Sequence, residues 1–105
     1  MRAIGIKVLE LEEDSSKGFD IDDQKYFVVK RDGQYFVYQN ACPHLGIPLE
    51  WQEDKFLDSS KSMIECANHG ALFMIENGMC VSGPCSGKKL IAVTFQLQDG
   101  EIFIN

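Results

Sequence analysis

At 105 residues the chain has room for one domain and not for two, and its 45% apolar and 25% charged residues are those of an ordinary globular protein. A net charge of −6 argues against nucleic acid as a partner, because phosphates need a basic face. No apolar run approaches the roughly 18 residues of a membrane span. The first residues, MRAIGIKVLELEED, lack a long apolar core and a small-residue cleavage site, so they read as a strand rather than a signal peptide. The expected setting is therefore the cytoplasm, where thiols stay reduced.

The elements follow as short strands broken by turn signals. Ala3–Leu11 alternates like a strand. Between Glu10 and Asp23 there are seven acids and one lysine, Lys17, which reads as a solvated loop or as a face that steers towards a basic partner. Lys25–Gln39 is two β-rich runs around Asp32-Gly33, a strong hairpin signal. Leu49–Lys61 has room for one or two helical turns at most. Met63–Cys66 and Ala71–Gly83 hold two or three short strands with a turn at Asn77-Gly78, and Leu90–Asn105 is a second hairpin that turns at Asp99-Gly100. The expected fold is all-β: one domain over 1–105, an antiparallel sandwich or small barrel. Phe27, Tyr35, Phe36, Tyr38, Phe73, Phe95 and Phe103 fall in its strands as core or cross-strand residues.

The chemistry sits between strands, where loops on a rigid scaffold carry function. The chain has two histidines, and each lies within three residues of a cysteine: Cys42-Pro43-His44, then 21 residues, then Cys66-Ala67-Asn68-His69. Two soft thiolates and two imidazoles form a metal set. Pro43 stiffens one turn, and Gly46 and Gly70 are expected to let backbone approach the metal closely. Zinc accepts this donor set, but its usual spacing is a close Cys pair and a close His pair. One Cys and one His per loop suits a two-iron cluster in which one iron takes both thiolates and the other both imidazoles.

The stretches CPHLG and CANHGALF resemble the ligand loops of Rieske [2Fe–2S] proteins, and the flanking strands and the closing segment from Asn77 are similar as well. The resemblance implies one [2Fe–2S] cluster in a small cluster-binding subdomain, with loops at about 40–50 and 65–74 and a Gly-Pro loop at about 82–88. It also implies that Cys42 and Cys66 hold the inner iron, that His44 and His69 hold the outer one, and that Pro84 shields the cluster. Rieske proteins of cytochrome bc-type complexes carry a further cysteine in each loop, joined as a disulfide. Ile47 and Asn68 stand at those positions here, so no such disulfide forms. Those proteins also place a serine and a tyrosine after the second histidine, where this chain has Ala71 and Phe73. Fewer hydroxyl donors to the cluster sulfurs stabilise the reduced state less. The expected potential therefore lies in the lower part of the Rieske range of about −150 to +300 mV.

Cys80 and Cys85 read as thiols packed near the Gly-Pro turn. Leu45, Ile47, Pro48 and Trp51 either cover the cluster or form an apolar docking rim. Nothing in the chain suggests a second cofactor site, since there is no G-x-G-x-x-G after a strand. The resemblance thus implies a ferredoxin, an electron carrier and not an enzyme, running from a flavoprotein reductase to a terminal oxygenase. Two alternatives stand beside it: a small subunit of a larger oxidoreductase such as nitrite reductase, and a structural zinc module.

Overall fold

The computed structural model describes residues 2–43, 48–50, 54–66, 70–83 and 87–104. Among the described residues nine strands run in chain order: β1 (Arg2–Lys7), β2 (Ser15–Ile21), β3 (Gln24–Arg31), β4 (Gln34–Gln39), β5 (Met63–Cys66), β6 (Ala71–Met74), β7 (Cys80–Ser82), β8 (Phe95–Gln98) and β9 (Glu101–Ile104). They form three antiparallel sheets of three strands, ordered β1-β9-β8, β2-β3-β4 and β5-β6-β7.

The middle sheet, β2-β3-β4, is covered on both faces. Val28 and Val37 belong to a core shared with Ile4, Ile6, Leu11, Ile102 and Ile104 of the β1-β9-β8 side. Phe27, Val29 and Tyr38 point the other way, into a core shared with Ile64, Phe73, Ile75 and Cys80 of the β5-β6-β7 side. Two covered faces explain why β3 carries an unbroken apolar run, Tyr26–Val29, instead of a polar alternation.

Three hairpins turn on pairs of residues with positive φ, the requirement of tight primed turns. These are Asp22-Asp23 (51° and 68°), Asp32-Gly33 (53° and 72°) and Asp99-Gly100 (53° and 77°). The first corrects the sequence reading. Residues 15–21 are not a solvated loop but strand β2, in register with β3 from Ser15–Lys30 to Ile21–Gln24.

Three more expectations change. The first strand stops at Lys7, and Val8–Glu10 winds into a 3-10 turn whose Glu10 carboxylate accepts the Lys7 N–H at 3.0 Å. No helix forms in the described parts of 49–61; Leu57 bridges to Ile64, and the Asp58 carboxylate accepts the N–H groups of Ser62 and Met63. Residues 88–93 do not form a regular strand because they divide their pairing between two sheets. The carbonyl of Ile91 accepts from Gln39 and the Val93 N–H donates to Val37, while Leu90 donates to Gly78 and Lys88 accepts from Cys80. No helix of the described residues is long and apolar enough to cross a membrane.

Candidate metal centre

The first loop leaves β4 at Gln39, whose N–H is held by Ile91, and Asn40 donates its N–H to the Lys25 carbonyl at 2.8 Å. Two residues later Cys42 is fully buried. The second loop leaves β5 at Cys66, also fully buried, and returns at Ala71, its cross-strand partner. The Gly70 N–H closes that return by donating to the Cys66 carbonyl at 2.8 Å, and Gly70 takes φ +65°. A Cβ on Gly70 would meet no described atom within 4 Å, so what favours glycine there among the described residues is the left-handed backbone. Gly46 lies outside the described residues.

A close backbone contact occurs at Gly83, in the third loop. It has φ +102°, and a Cβ there would lie 2.8 Å from Ala71 Cα. This presses the start of the Gly-Pro segment against the return of the second loop. Pro84 and Cys85 lie outside the described residues.

Cys42 and Cys66, remote in sequence, thus enter one apolar cluster with Leu49, Ala71 and Phe73. Both are thiols. Their burial suits the inner half of a cluster, because thiolates bind soft metals and a bound metal satisfies a charge that a dry core would otherwise reject. The donor set and the cradle around it fit an iron–sulfur cluster. Ala71 and Phe73 are fully buried in the same core as Cys42 and Cys66 and carry no hydroxyl. His44 and His69, assigned as ligands from sequence, lie outside the described residues, as do Leu45, Ile47 and Trp51 of the expected rim; Pro48 is exposed. Cys80 is buried on β7 opposite Phe73 and directs its thiol at the Ser82 carbonyl (3.3 Å), as a packed thiol does. A cleft of about 710 Å³ lined by Asp14, Asp54, Leu57 and Asp58 includes neither Cys42 nor Cys66 in its walls.

Two features of the site were missed in sequence. One is Asn40, a buried polar residue whose position at the end of a strand was its only signal. The other is the hold of β2 on the segment after the first loop: Gly18 N–H donates to the Asp54 carboxylate and Ser16 hydroxyl to the Asp54 carbonyl, both at 2.8 Å. No local pattern announces contacts between residues 36 or more positions apart.

Known proteins agree with this architecture. The ferredoxin of carbazole 1,9a-dioxygenase from Nocardioides aromaticivorans IC177 superposes with a TM-score of 0.76 at 21% identity, over 99% of this chain and 94% of that one. A Sphingomonas yanoikuyae B1 ferredoxin gives 0.75 at 23% identity, over 100% and 96%. In sequence, the cytochrome b6-f complex iron-sulfur subunit of Chlorobaculum tepidum is 29% identical over 91 residues, 87% of this chain and 46% of that protein, so the chain spans about half the length of this curated relative. Residues 4–99 match the Rieske [2Fe-2S] domain, and with two buried thiols at the mouths of its Cys-x-His and Cys-x-x-His loops the chain belongs to the Rieske family, which carries one [2Fe–2S] cluster.

Proposed function

We propose that the chain is a one-electron carrier, an electron-transfer protein rather than an enzyme, that delivers electrons to a terminal oxygenase after receiving them from a flavoprotein reductase. In this reading residues 1–105 act as one cluster domain, with Cys42 and Cys66 on one iron and His44 and His69 on the other. The observation that carries it is the burial of Cys42 and Cys66 in one apolar core, each directly before a loop that bears a histidine.

When bound, the cluster supplies a site that accepts and releases a single electron. The chain's own residues do the rest. Cys42 and Cys66 hold their side of the site away from water. Ala71 and Phe73 offer no hydroxyl donor and so keep the potential low. Histidines are the ligands suited to the exposed side, where an electron leaves for a partner.

The oxygenase partner is supported by fold. Chains of similar structure include complexes of oxygenase and ferredoxin from carbazole 1,9a-dioxygenase. Ile47 and Asn68, in place of disulfide cysteines, point away from the cytochrome-complex class. Thiols that must stay reduced to bind iron suit the cytoplasm.

The test is an anaerobic reductive titration followed by mixing with a Rieske-type oxygenase under substrate. Uptake of one electron per chain and its stoichiometric transfer to the oxygenase are expected. A colourless protein holding zinc, or a reduced protein that no oxygenase re-oxidises while a nitrite reductase subunit does, contradicts the reading.

A further inference from the structure

Asn40 is the polar side chain that the described fold buries, only 6% exposed. Both ends of its amide are used. Oδ1 accepts the Leu49 N–H at 2.8 Å, and Nδ2 donates to the Glu50 carboxylate at 2.7 Å. Its backbone N–H is anchored on Lys25 of β3 at 2.8 Å. One side chain therefore joins the two ends of the 40–50 loop, the loop that contains Cys42 and His44, and fixes both to the middle sheet.

The far end of the loop has no slack. Leu49 is fully buried, so its N–H has no water to turn to if Asn40 is lost. Beyond Glu50 the chain is held again by the Gly18–Asp54 bond and by Phe56, which stacks on Phe27 at 4.4 Å between ring centres.

Only an asparagine amide meets this geometry. It presents an acceptor and a donor in one short fork. Aspartate keeps the acceptor but sets a second carboxylate against Glu50. Alanine supplies neither group.

We propose that Asn40 is a positioning residue for the cluster: by joining Leu49 and Glu50 to the start of the first loop it fixes the pose in which Cys42 meets the iron. This rests on the reading of Cys42 and His44 as ligands. Residues that orient ligands without touching the metal are worth about 10–100-fold in metal affinity.

The holoprotein is compared with Asn40→Ala, Asn40→Asp and the double variant Asn40→Asp/Glu50→Gln. Two readouts are used: the rate at which a strong chelator bleaches the cluster, and the line width of the reduced EPR spectrum. Both single variants are expected to bleach roughly tenfold faster or more, with a broadened spectrum from a spread of ligand poses. The double variant is expected to restore both, because the introduced carboxylate accepts the Leu49 N–H while the introduced amide donates back to that carboxylate. A purely structural defect would not be rescued in line width by exchanging donor and acceptor.

Single variants with wild-type bleaching and line width overturn the proposal, as does a double variant as labile as Asn40→Asp. If Asn40→Ala fails to fold, the comparison of Asn40→Asp with its rescue decides. A wild-type spectrum without histidine coupling overturns the ligand reading and the proposal with it, whereas a normal wild type with unresponsive variants overturns the proposal alone.

Discussion

Gly83 and Ala71 approach so closely that a Cβ on Gly83 would lie 2.8 Å from the Ala71 Cα and 3.0 Å from its Cβ. The obstructing atoms belong to the backbone and first side-chain carbon of β6, so neither can swing aside. Gly83→Ala combines this overlap with a strained positive φ, and is expected to cost about 2 kcal/mol or more. Urea denaturation of the holoprotein measures it. Because the push falls on the strand that follows the second ligand loop, chelator bleaching should also accelerate. A variant with unchanged urea midpoint removes the close approach from the account.

Ala71 pairs with Cys66 across the β5–β6 hairpin and is fully buried. A hydroxyl at this position gains a donor beside the cluster. Ala71→Ser is expected to raise the midpoint potential by roughly 60 mV, the one-electron equivalent of a tenfold change in equilibrium. Protein-film voltammetry checks this, and should find the wild type in the lower part of the Rieske span and not above about +150 mV, a value well into its upper half. A wild-type midpoint above that, or a serine variant with a lower potential, contradicts the argument from missing hydroxyls.

Tyr38 lies in the core between the middle sheet and the cluster side, and its hydroxyl donates to the Ile75 carbonyl. Burial, aided by the Glu76 carboxylate, pushes its pKa up to about 12 from 10.0. A raised pKa means that the folded state prefers the neutral phenol. Its stabilising contribution is whole below pH 10 and is lost as pH rises from 10 towards about 12. Chemical denaturation across that window should show stability falling more steeply in the wild type than in Tyr38→Phe. At neutral pH the same variant should lose about 1 kcal/mol, because the buried Ile75 carbonyl loses its donor. Equal alkaline slopes in the two proteins contradict this.

The parts of the fold that were legible in sequence are those with local chemistry. Asp32-Gly33 and Asp99-Gly100 announce β3–β4 and β8–β9 because few residue pairs accept positive φ twice in succession. The Asp22-Asp23 turn uses the same backbone with a weaker signature, and β2 before it is composed of Ser, Lys, Gly and Asp with only Phe19 and Ile21 to suggest a strand. Its order comes from β3 beside it and from Asp54, contacts that no local window contains. The site divides in the same way. Cysteine and histidine are rare and chemically particular, so their spacing showed both loops. Asn40 is common in turns, and only the fold reveals that it spans one of those loops.

Nitrogen-sensitive pulsed EPR of the reduced protein tests the central claim most directly. The account predicts two strongly coupled histidine nitrogens, one of them lost in His44→Cys and the other in His69→Cys. A reduced cluster without nitrogen coupling, or with both couplings intact in either variant, would contradict it.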